Sequence, residues 1–159
     1  MSVKDFVQQR RDDFIAMRRD FHMYPEPAWL EYRSASKVAE KLIALGYDVA
    51  LGADVLDLDS RMGLPSEEVM KAAMARAMDE GADPELVEKM GYGKTAIVAT
   101  MKFSDDGHVV AFRADMDSND VIESKASNHI PAKTGFRSRH DKAMHACGHD
   151  THMTMGLGL

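Results

Sequence analysis

The chain has 159 residues, 45% of them hydrophobic and 29% charged, a balance that suits a soluble globular protein with a buried core. Its formal net charge of −6 argues against a general nucleic-acid binder, and no stretch approaches the roughly 18 apolar residues of a membrane span. A single cysteine excludes an internal disulfide, and the charged N-terminus lacks the apolar centre of a secretory signal, so a cytoplasmic setting is expected.

Val3, Phe6, Val7, Phe14, Met17 and Phe21 recur at helical intervals and predict one amphipathic helix over residues 3–23. Pro25 and Pro27 end it by disfavouring helical geometry in the residues before them. A second helix is expected from Ser34 to Leu45, with Gly46 at its C-terminal stop, followed by the short strand YDVAL. Over residues 61–91, Pro65 and then Asp83 with Pro84 open two helices that Gly81 and Gly91 close, which reads as a helical insertion between strands. KTAIVATMKF and HVVAFRADM are rich in β-branched residues, and the SDDG link between them predicts an antiparallel hairpin. Residues 118–143 read as a long polar loop, and a helix is expected to begin near Asp150.

Two stretches carry chemistry. FRADMD places Asp115 and Asp117 where a strand gives way to a loop; alternate strand residues face the same way, so both carboxylates project together. The plain alternative is a solvated strand end that uses Asp to turn. HACGHDTH, residues 145–152, gathers His145, Cys147, His149, Asp150 and His152, and four of the seven histidines fall in the last twenty residues. Gly148 gives the backbone the freedom to let Cys147 and His149 converge, and thiolate and imidazole are ligands that zinc prefers. A cysteine nucleophile with a histidine base is a competing chemistry. Zinc-finger spacing is absent, and HDTH lacks the glutamate of the HExxH metalloproteases. Pattern alone favours a metal site and leaves the reaction open.

RRDFHMYPEPAWLEYRSASKVAEKL, FRADMD and MHACGHDTH occur in this order in the M20-type metallopeptidases, and the chain resembles their amidohydrolase branch. The resemblance implies an α/β fold: residues 1–159 as the N-terminal portion of a zinc-peptidase-like, three-layer α/β/α catalytic domain with a mixed sheet. The insertion falls at about 61–91, and the lid or dimerisation domain and the C-terminal half lie outside the chain. It implies Cys147 and His149 as metal ligands and Asp117 as the acidic residue supporting catalysis, while Asp115 stands where other branches have a ligand histidine. His145 and His152 are assigned supporting roles and His22 packing or hydrogen bonding at a helix end. The implied cofactor is a pair of divalent ions, zinc or manganese. The implied reaction is cleavage of the amide bond of a small N-acyl amino acid, with p-aminobenzoyl-glutamate, a folate breakdown product, as substrate. The family's glutamate base and remaining ligands fall beyond Leu159, so the chain alone is expected to be inactive. The alternative is a non-catalytic truncated pseudoenzyme or metal-binding partner subunit. The expected partners are a small amide substrate and a second copy or related subunit, with no nucleic acid and no membrane.

Overall fold

The computed structural model describes residues 2–158. In chain order its elements are α1 (Val3–Gln9), α2 (Arg11–Met23), α3 (Tyr32–Ala44), β1 (Asp48–Leu51), one tight helical turn (Gly52–Val55) and α4 (Glu67–Asp79). Then follow α5 (Pro84–Met90), β2 (Ile97–Thr100), α6 (Ile130–Lys133) and α7 (His149–Leu157). They sort into two units, one of residues up to Pro27 with those from Arg113 onward, the other Ala28–Phe112.

In the Ala28–Phe112 unit, α3, α4 and α5 pack on one another. Ala35 and Ala39 of α3 and Ala73 and Ala77 of α4 are buried, which keeps the backbones close, while Val87 and Met90 of α5 fill the space left. Asp83 caps α5 by accepting from the Glu85 and Leu86 N–H groups, with Pro84 at the first turn. Ser66, one residue after Pro65, caps α4. Buried polar groups tie α3 to the surrounding loops. Thr95 donates to the Glu31 carboxylate at 2.6 Å, the Gly93 N–H donates to the Tyr32 hydroxyl at 2.9 Å, and the Asp83 N–H donates to Ser36 at 2.8 Å. β1 and β2 pair antiparallel, with Asp48 opposite Thr100 and Leu51 opposite Ile97. The α/β class is therefore present, and among the described residues the sheet consists of these two strands.

The expected hairpin is not formed. The strand KTAIVATMKF survives as β2, but its partner is β1, and residues 108–116 are not in a strand. Val109 and Val110 are 99% and 89% exposed, and Phe112 is also exposed. A run that is apolar on both faces suits a strand covered from both sides, and the described residues supply no such cover.

In the other unit, the single helix expected over residues 3–23 breaks at Arg10. A straight helix would hold Phe6 and Phe14 about 12 Å apart along its axis. The break lets their rings meet edge to face at 6.4 Å. α1 buries none of its residues, so its capping box, Ser2 with Asp5, carries much of its local order. Residues 118–143, expected as a polar loop, carry the short helix α6 and are pinned at their ends, where Asn119 and Met144 exchange two backbone hydrogen bonds of 3.0 Å. α7 packs against α2. Among the described residues no helix is long and apolar enough to cross a membrane.

Gly52 has φ +75°, and a Cβ there would lie 2.8 Å from the backbone carbonyl oxygen of Lys89. Gly52→Ala combines the left-handed penalty, about 1–2 kcal/mol, with this backbone clash. A loss of stability of at least about 1–2 kcal/mol is expected, read as a lower denaturant midpoint with unchanged slope.

Candidate metal centre

Gly148 adopts φ +85° and is the N-cap of α7, a conformation that favours glycine and lets the chain turn sharply from Cys147 into the helix. His149, the first helical residue, reaches back to Asp117. Its Nδ1 lies 2.7 Å from the Asp117 carbonyl oxygen and 3.0 Å from that residue's carboxylate. Both neighbours are acceptors, so Nδ1–H donates, and in the neutral ring that places the lone pair on Nε2. Nε2 faces the Asp115 carboxylate at 4.0 Å, too far for a hydrogen bond. The other Asp115 oxygen accepts from Arg113 at 2.6 Å. His152 lies one helical turn after His149, with the two rings 5.2 Å apart.

Asp115, His149 and His152 thus each offer a ligand atom, all within 4.8 Å of one another. Ligands about 2.1 Å from one tetrahedral ion sit about 3.4 Å apart, so closing the cluster on a cation requires shifts of about an ångström. Two imidazoles and a carboxylate form the three-ligand set of a catalytic zinc site, which leaves a fourth position for water or substrate. The donor set fits a divalent metal.

The residues expected from sequence are placed as follows. His149 is at the centre of the cluster. Asp117 holds its Nδ1 side. Cys147 is exposed and stands outside this three-residue group, its backbone N–H donating to the Asn119 side chain at 3.2 Å. His152 and Asp115 join the group, although sequence reading gave His152 a supporting role and left Asp115 without one. The signal for His152 was the spacing of three in HDTH, which puts two side chains on one helical face. His145 is 4% exposed, and neither ring nitrogen has a hydrogen-bond partner among the described residues. Burial lowers its pKa to about 4, with lesser effects from the charges of Asp150, His22, His149 and Asp117, so it is a neutral imidazole at pH 7.

Beneath the cluster lies a buried ionic network. His22, at the end of α2, has Nδ1 2.7 Å from Asp150 and Nε2 3.0 Å from Glu123. Arg18 also reaches Asp150, at 3.0 Å. Glu123 accepts further from His129 at 2.8 Å and from the Ser138 N–H. Asp150 and Glu123 are essentially inaccessible. Burial disfavours the His22 charge, but the two carboxylates outweigh it and raise its pKa. Burial likewise opposes ionisation of Asp150, and His22 and Arg18 overcome it, lowering the pKa. For Glu123 burial is again outweighed, here by His22, His129 and the Ser138 N–H, and the pKa is lowered. Nothing in a linear reading pairs His22 with residues 101 and 128 positions away.

No profile of a known family matches the chain. Individual relatives do. It is 44% identical to the indole-3-acetyl-aspartic acid hydrolase of Enterobacter agglomerans, over 99% of this chain and 36% of that protein. It is also 44% identical to one of the subunits of the p-aminobenzoyl-glutamate hydrolase of Escherichia coli, with the same coverage of each. A crystal structure of an aminobenzoyl-glutamate utilization protein from Klebsiella pneumoniae superposes with a TM-score of 0.73 at 43% identity, over 76% of this chain and 30% of that one. Over nearly its whole length the chain is similar to these hydrolases, in keeping with its resemblance to the M20-type amidohydrolases, and it spans about a third of the length of the curated relatives it matches.

The network gives a signed pH prediction. The raised pKa of His22 contributes stability that is fully present below its ordinary value of 6.5 and lost as pH rises through the folded value above it. The lowered pKa values of Asp150 and Glu123 contribute stability present above 3.8 and 4.5 and lost as pH falls through the folded values below these. Denaturant midpoints should therefore plateau between these ranges and decline on both sides. His22→Leu should lower the plateau and flatten the alkaline decline.

Proposed function

We propose that this chain serves a metal-dependent amidohydrolase that cleaves the amide bond of a small N-acyl amino acid, with p-aminobenzoyl-glutamate as substrate. The observation that carries the reading is the Asp115–His149–His152 cluster, held from behind by Asp117. The names of the two relatives support the substrate class, since each names an aromatic acyl group joined to an acidic amino acid. In this reading His149 is the central ligand, Asp115 and His152 complete its set, and Cys147 adds a thiolate donor from the exposed turn before α7. Zinc suits the imidazole and thiolate donors, and manganese suits the carboxylate.

When bound, a divalent ion supplies Lewis acidity toward the amide carbonyl and lowers the pKa of water. The protein's own part is to aim donors. Asp117 fixes the His149 tautomer, so that Nε2 carries a lone pair toward the cluster. Arg113 holds one Asp115 oxygen and leaves the other facing His149. A cytoplasmic setting belongs to this reading, supported by the single cysteine. A second copy or related subunit is the proposed protein partner, supported by the exposed apolar residues Val109, Val110 and Phe112.

Metal uptake tests the reading. Isothermal titration of the chain with Zn2+ should show saturable binding that weakens at least about 10-fold in His149→Ala. Cys147→Ala should weaken it less. Identical titrations for wild type and His149→Ala would sink the metal centre. Release of p-aminobenzoate that persists after chelation would sink the metal-dependent reaction.

A further inference from the structure

His22 is the one described side chain that joins α2, the loop around Glu123 and the first turn of α7 in a single set of buried hydrogen bonds. It is 2% exposed, its ring packs edge-on against Phe136 at 5.5 Å, and each nitrogen points at a fully buried carboxylate. Asp150, which takes the shorter of the two bonds, is the second residue of α7. Successive helical residues advance by about 100° around the axis. With Asp150 turned inward, His149 and His152 project as a pair about 60° apart on the other side of the helix, where they meet Asp115.

The rotation of α7 is set by its packing on α2, where Met153 and Thr154 are buried, by the His149–Asp117 contact and by the groups that hold Asp150. Its N-cap is Gly148, which supplies no side-chain cap. The hydrogen bonds of Thr151 and Thr154 stay within the helix itself. Arg18 pulls on the same Asp150 oxygen as His22, but it is a long side chain one-third exposed. The rigid, enclosed tether is the imidazole.

We propose that His22 is a positioning residue of the metal centre: pinned between Asp150 and Glu123, it helps fix the rotation of α7 and so aims His149 and His152 at Asp115. The proposal rests on the reading of that cluster as metal-binding. It differs from a general packing role because the two bonds of the ring have unequal importance. The Asp150 bond reaches the ligand-bearing helix; the Glu123 bond anchors the ring.

Two substitutions separate them. An asparagine amide nitrogen occupies roughly the place of Nδ1 and can keep the Asp150 bond, whereas a glutamine amide nitrogen occupies roughly that of Nε2 and can keep the Glu123 bond. Co2+ is the probe, because its visible absorption reports ligand number and geometry while titration reports affinity. In folded proteins, checked by far-UV circular dichroism and cooperative unfolding, His22→Gln should weaken Co2+ binding about 10- to 100-fold and alter the absorption bands. His22→Asn should stay within about threefold of wild type with wild-type bands. Wild-type affinity and spectrum in His22→Gln would overturn the proposal, as would equal weakening in both folded variants. Should His22→Gln fail to fold, the wild-type chain labelled with nitrogen-15 at histidine decides. The Nδ1 resonance of His22 must then shift on Zn2+ addition, and an unmoved resonance overturns the proposal. A wild-type chain that takes up no Co2+ overturns the metal reading itself, an outcome distinct from unchanged binding in the variants.

Discussion

Two carboxylates without solvent contact, Asp150 and Glu123, set the terms for their unit. A buried carboxylate loses several kcal/mol of hydration, which is recovered only if donors meet it in good geometry. Here the donors come from separate stretches of chain: His22 and Arg18 from α2, His129 and the Ser138 N–H from the loop. None of these bonds can form until α2, the loop and α7 are mutually placed. Networks of this kind add little net stability over an apolar core, but misplacing any member leaves a charge unpaired. Their effect is to reject wrong arrangements, which suits a scaffold that must hold donor atoms to within about an ångström.

The cluster above depends on that scaffold in a specific way. His149 is fixed twice, at its backbone by the Gly148 turn and at its ring by Asp117. Among the described residues His152 has no comparable anchor and follows the helix. A rotation of α7 would therefore carry His152 away from Asp115 and pull His149 off Asp117.

Local signals in the sequence translated well, and long-range ones did not. Asp83 with Pro84 and Gly91 bound α5 as expected, because capping and φ preferences act within four residues. HACGHDTH was legible as a centre of chemistry for the same reason: it is dense and its spacing is helical. Cys147 comes immediately before the Gly148 turn, where the thiol is exposed and stands outside the three-residue group. Asp150 looked like a further candidate ligand in that crowd, yet it faces inward to His22. The break at Arg10 was invisible because periodicity cannot distinguish one helix from two whose rings fold onto each other. The resemblance of three ordered motifs supplied what periodicity could not, the family it points to and the reaction class expected of it.

The misjudged hairpin shows where the division falls. Residues 109–112 have strong β-forming composition, but a strand needs a neighbour to pair with and layers to cover it, neither of which lies in its own sequence. β2 met the first condition through β1; Val109 and Val110 meet neither and stay exposed. The donor cluster, by contrast, draws its ligands and its whole buried support from residues within one unit. Metal affinity and amide cleavage should therefore be separable properties. On the proposed reading, affinity draws on the donor cluster and the His22 network, which lie in one unit, whereas turnover also asks for a base and a substrate cradle besides those residues.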